Sequence, residues 1–171
     1  MRFETEAHRA CFERVLPWMR QLFGEAAGVR TDFPAFGVWV GSAFAQTMIH
    51  PWGPDDAVIC TRAYVVTGAQ VTPDLMAFLL RANDRMRFGA FGLDEDGDIF
   101  FQHTIVGSTC DIKQLQASVA AVVLVADRYD DPIVARWGGQ RAIDREKAMN
   151  AQAALLEGNG ILPAPEGQAS P

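Results

Sequence analysis

Basic side chains are scarce in this chain, which has 15 Lys and Arg against 21 Asp and Glu and a formal charge of −6 over 171 residues. A phosphate backbone needs a basic face, so this balance argues against nucleic-acid binding. Even the arginine-rich start is balanced: Arg2, Arg9, Arg14, Arg20 and Arg30 are interleaved with Glu4, Glu6, Glu13 and Glu25, the pattern of a solvated helix face. Cysteine is equally sparse. Cys11, Cys60 and Cys110 are odd in number, far apart and set among apolar neighbours, as buried reduced thiols are. His8, His50 and His103 share no ligand spacing with one another or with the cysteines, so no metal site is expected. No apolar run approaches the roughly 20 residues that span a bilayer. The N-terminal MRFETEAHRA mixes charges of both signs, unlike a signal or transit peptide. The expectation is a cytoplasmic protein without membrane contact.

Catalytic signatures are missing as well. The chain has no Gly-x-Ser-x-Gly nucleophile elbow, no Gly-x-x-x-x-Gly-Lys phosphate loop and no Gly-x-Gly-x-x-Gly dinucleotide turn. His103 shares a predicted strand face with Ile99, Phe101 and Ile105, which suits a partly buried structural histidine better than a general base. Neither enzymatic activity nor a cofactor is expected.

What the chain does have is one domain's worth of residues, enough to bury about 70% of the unfolded surface without staples. It also has an informative centre. Residues 87–106, RFGAFGLDEDGDIFFQHTIV, hold two apolar arms around Asp94-Glu95-Asp96-Gly97-Asp98, and Asp-Gly between apolar runs signals a hairpin. Asp94, Asp96 and Asp98 alternate as calcium ligands do. A calcium loop, however, wants glycine at its sixth position and an acid at its twelfth; here Gly97 is fourth and Ile105 twelfth, so the segment reads as a solvated turn.

The remaining elements follow from period and punctuation. Residues 5–27 read as an amphipathic helix on Cys11, Val15, Met19, Leu22 and Ala26, with Pro17 predicting a kink or a division into two helices. Residues 31–35 read as a linker. Strands are predicted over 36–40, 44–50 and 57–66, with a turn at Gly41-Ser42 and another over residues 51–55. The first strand places Phe36, Val38 and Val40 opposite Trp39; the second places Phe44, Gln46 and Met48 opposite Ala45, Thr47 and Ile49. Thr72-Pro73-Asp74 opens a helix over 73–83, with a capping threonine, a proline in the first turn and an acid at the positive end. Asp111 and Gln114 form a capping pair for a helix over 111–129 that ends at Asp130-Asp131-Pro132, beyond which residues 133–137 offer one further turn before Gly138-Gly139. Apolar residues on several faces of this last helix call for a second cover, either a subunit partner or the C-terminal segment. Residues 138–156 read as a helical extension and 157–171 as a disordered tail, leaving 1–137 as the domain. The expected fold is α+β: a five-stranded antiparallel sheet with helices packed on it, in the order α-β-β-β-α-β-β-α.

The run Leu79-Leu80-Arg81-Ala82-Asn83-Asp84, then Phe88-Gly89-Ala90-Phe91-Gly92-Leu93 with the acidic turn and Ile99, then the apolar helix ending Ala126-Asp127-Arg128-Tyr129-Asp130-Asp131, resembles the bacterial YbjN-like family. That family is grouped with the CesT-like chaperones of type III secretion. The resemblance implies a chaperone-like or regulatory protein that binds a peptide segment of a partner, commonly as a dimer and without a cofactor.

Aromatic residues supply the candidate site. Alternation sends neighbours such as Phe100 and Phe101 to opposite sheet faces, so helices on one face leave apolar surface on the other. Trp39, Phe44, Met48, Trp52, Phe88, Phe91 and Phe101 are the candidates for partner binding, by sheet-face packing and strand addition at an edge. The alternative is a structural or regulatory homodimer without a client, with Met76, Leu80 and Val123 at its interface.

Overall fold

The computed structural model describes residues 1–40, 43–145 and 147–148. Helix α1 (Glu6–Phe23) is followed by strands β1 (Ala27–Val29), β2 (Ala35–Val40), β3 (Ala43–Trp52) and β4 (Asp56–Thr67). Helix α2 (Pro73–Arg85), strands β5 (Ala90–Leu93) and β6 (Ile99–Val106), helix α3 (Ile112–Trp137) and the short strand β7 (Gln140–Arg141) complete the order. All pairings are antiparallel, in the spatial order β1-β2-β3-β4-β6-β5, with β7 also pairing with β4. Among the described residues the sheet thus has seven strands rather than five. The two unforeseen strands are only three and two residues long, too short to carry an alternation of their own, and exist because β2 and β4 offer free backbone groups beside them.

The helix starts form as their sequences dictate. The Thr72 hydroxyl accepts from Leu75 N at 3.1 Å, and Asp111 with Gln114 closes a reciprocal capping box at 2.8 and 3.3 Å. Two prolines do not divide their helices. Helix α1 runs through Pro17 and ends at Gly24, where φ is +54°. Helix α3 runs through Pro132 to Trp137, losing one backbone bond but burying Ile133 and Trp137.

The core lies between one sheet face and the helices. Phe36, Val38, Ala45, Ile49, Ile59, Ala63, Ile99 and Phe101 meet Val15 and Met19 of α1, Leu75 and Leu79 of α2, and Leu115, Val119 and Val122 of α3. Phe12 of α1 stacks on Phe36 at 5.1 Å between centroids, and Tyr129 of α3 meets Phe91 edge-on at 5.1 Å. Val123 is 4% exposed, inside this core, so its cover is the chain's own sheet and not a subunit. A β-bulge between Tyr64 and Val66 breaks the alternation of β4, which lets consecutive Val65 and Val66 both be buried. The three cysteines are free and buried. No helix among the described residues is long and apolar enough to cross a membrane.

The described chain stays packed on the fold beyond residue 137. Strand β7 joins the sheet, Gln70 N bonds Trp137 O at 2.9 Å, and Ile143 is buried. Residues 142–145 and 147–148 are helical; the predicted Gly41-Ser42 turn, the rest of the helical extension and the tail over 157–171 lie outside the described residues.

Candidate functional site

Alternation along β3 sends Ala45, Thr47 and Ile49 into the core and leaves Phe44, Gln46, Met48, His50 and Trp52 on the opposite sheet face. No described helix packs there. Register then assembles rows across the strands: Trp39 opposite Phe44, Gln46 opposite Arg62 and Arg62 opposite Gln102, and Tyr64 opposite Phe100. Trp39 and Phe44 touch at 4.9 Å between ring centroids, and Tyr64 meets Phe100 edge-on at 6.3 Å. The stripe from Phe44 to Trp52 is about 27 Å long at roughly 3.3 Å per residue, enough for an extended segment of similar length.

Side chains on this face are tied to one another. Arg62 lies over the Phe100 ring at 4.0 Å and donates to Gln102 Oε1 through Nε and Nη2 at 3.0 and 2.6 Å. Phe100 lies directly over Gly92, where no Cβ fits, and Phe44 covers Gly37 in the same way. The Tyr64 hydroxyl donates to Asp94 Oδ2 at 3.1 Å; burial and then that carboxylate raise its pKa, so the phenol remains a donor. Asp94 also accepts from Asp96 N and Asp98 N at 3.1 and 2.9 Å, which ties the acidic turn together.

Where the sheet ends, the open face leads into a groove of about 470 Å³. Ala43, Val65, Ala126 and Ile143 give it apolar walls, and the acidic turn and α3 give it carboxylates. Asp130, 8% exposed, accepts from Asp131 N at 2.6 Å, and burial pushes its pKa up.

The structure divides the residues singled out from sequence. Trp39, Phe44, Met48 and Trp52 share the open face, with Trp39 38% and Trp52 57% exposed. Phe101 and Phe91 do not: they are 0% and 7% exposed and lie edge-on to each other at 5.0 Å within the core. It is Phe100, their neighbour of opposite parity, that faces outward. Phe88 is half-exposed but packs edge-on against His103, on the helix-bearing side of the sheet. His103 itself bonds Ser118 Oγ through Nδ1 at 2.9 Å, and burial lowers its pKa. Met76 and Leu80 are exposed on the outer side of α2. Sequence reasoning missed Arg62, Tyr64, Phe100 and Gln102 because only cross-strand register brings them together, and missed Asp130 because it lies on α3, far along the chain.

At β5 one rung of the edge open to strand addition is already occupied. Phe91, the residue whose backbone points away from β6, has its N–H bonded to Asn83 Oδ1 at 2.7 Å and its C=O bonded by Asn83 Nδ2 at 3.2 Å. The side chain of α2 thereby imitates a neighbouring strand at that edge.

Comparison with curated proteins yields no match. Among solved structures the fold is similar to that in "Crystal Structure of the ExsC-ExsE Complex", with a TM-score of 0.56, 12% identity, and coverage of 75% of this chain and 96% of that one. It is also similar to that in "Structure of the HopA1-SchA Chaperone-Effector Complex", with a TM-score of 0.56, 10% identity, and coverage of 72% and 96%. At these identities the likeness is one of fold. The family model described as T3SS (YopN, CesT) and YbjN peptide-binding chaperone 1 matches residues 13–145, and the chain belongs to that family.

Proposed function

We propose that the protein is a non-enzymatic chaperone that holds an extended or amphipathic segment of a partner protein on its open sheet face. The observation that carries this reading is the stripe of Trp39, Phe44, Met48, Tyr64 and Phe100, which no described helix covers. Membership of a peptide-binding chaperone family supports it, as does a fold shared with proteins solved in complexes of that type. Affinity comes from apolar burial at about 25 cal/mol per Å2. Association carries a fixed cost of about 4–15 kcal/mol besides about 1–2 kcal/mol per ordered residue, so affinity depends on how much of the stripe the client's apolar side chains cover.

Affinity capture followed by mass spectrometry tests this reading. A specific partner is expected with the wild type and absent with Trp39→Asp or Phe100→Asp, while circular dichroism stays unchanged. Loss of the partner only together with unfolding would assign these residues to stability and overturn the reading. A second reading rests on Met76, Leu80 and Leu124, which are 41%, 69% and 67% exposed on the outer helix surfaces. These are the surface for a homodimer, for which light scattering should give twice the monomer mass, falling to one in Leu80→Asp.

A further inference from the structure

The groove at the sheet end is continuous with the open face, because Phe44, Arg62 and Tyr64 line both. Its far wall is fixed: β7 pairs with β4, and Arg145 reaches across to Asp98 at 3.0 Å. Its volume falls within the roughly 300–1,000 Å³ of ligand pockets.

Charge in the groove is one-sided. Its lining holds five aspartates and three arginines, a formal balance of −2. The arginines are already engaged: Arg30 binds Asp32 in a two-pronged contact at 2.9 and 2.7 Å, Arg62 binds Gln102, and Arg145 binds Asp98 within the groove itself. Asp130 is different from the other acids. It is more than nine-tenths buried, and among the described residues its one hydrogen bond is from the backbone of its own neighbour. Arg141 acts on Asp130 only through space, being paired with Asp131 and Asp144, so the buried carboxylate still has no side-chain donor, and an arriving cation that bonds it directly relieves that cost. The acids are too dispersed for a metal, since no three such side chains among the described residues converge as ligands. An alkyl stem carrying a cationic head suits the site better: the stem lies along Val65, Ala126 and Ile143, and the head reaches Asp130.

We propose that this groove is the anchor for an arginine or lysine side chain of the bound segment, with the apolar residues of that segment continuing onto the open sheet face. This rests on the peptide-binding reading and adds the chemistry of the client: a basic residue beside an apolar stretch.

The test uses the full chain, isotope-labelled for NMR, and three synthetic nonapeptides of alternating leucine and serine that differ only in a central arginine, glutamine or glutamate. The arginine peptide should bind about tenfold more tightly than the glutamine one and more tightly still than the glutamate one. It should shift the amide signals of Ala126, Asp130 and Ile143. Asp130→Asn, which keeps the side-chain shape and the bond from Asp131 N, should abolish the arginine preference, so that the arginine and glutamine peptides bind about equally. Equal binding of the three peptides, or an arginine preference that survives in Asp130→Asn, overturns the anchor and leaves sheet-face capture standing. If no peptide binds and no open-face signal moves, the peptide-binding reading fails with it.

Discussion

Phe100 and Phe101 are chemically identical neighbours with opposite consequences. Phe101 is fully buried among the helices, so Phe101→Ala should cost about 3–5 kcal/mol of stability in a denaturant titration. Phe100 lies on the outer face against Gly92, Tyr64 and Arg62, and Phe100→Ala should cost under about 1.5 kcal/mol while weakening client capture. The reverse ranking would place the core on the wrong side of the sheet. Their separation was legible from alternation alone; which of the two faces water was not, because that depends on where the helices lie. His103 makes a second prediction at this scale. Burial against Ser118 and Phe88 lowers its pKa, so its folded state takes up a proton less readily than the unfolded chain, whose histidines titrate near 6.5. Its contribution is therefore complete above about pH 6.5 and lost as pH falls through the lowered folded value. His103→Asn should flatten the fall in urea midpoint between about pH 7 and pH 5. An unchanged slope would show that His103 contributes nothing to it and leave the fall to other groups, among them His50, whose pKa is lowered chiefly by burial.

Elements were legible where their signals are local. Thr72-Pro73 and Asp111 with Gln114 mark helix starts because a cap involves only residues three positions apart. Strands β1 and β7 were not legible, since a two- or three-residue strand is defined by the partner it finds. The end of α3 was only partly legible for a related reason: Pro132 has a known local cost, so residues 133–137 read as no more than a further turn, but the gain from burying Ile133 and Trp137 is a property of the assembled core. The edge of β5 shows the same dependence on tertiary context. Asn83, a residue with no distinctive place in the helical pattern, is positioned by α2 to satisfy both outward backbone groups of Phe91. Asn83→Ala should leave those groups unpaired, lower stability by about 1–3 kcal/mol and promote edge-to-edge association visible by light scattering. A variant as stable and as monodisperse as the wild type would mean that the edge is protected by something other than this side chain.

At the scale of the molecule, helices α1, α2 and α3 on one face of the sheet leave the opposite face uncovered by any described helix, and that face is the surface proposed for the client. The chain's four tryptophans sample both sides. Trp39 and Trp52 stand exposed on β2 and β3, Trp137 is buried at the end of α3, and Trp18 belongs to α1. Their indole N–H resonances therefore report which side a client occupies. On titration of the captured partner's binding segment, Trp39 and Trp52 should shift while Trp18 and Trp137 stay in place. Movement of Trp18 and Trp137 with Trp39 and Trp52 unchanged would contradict the account.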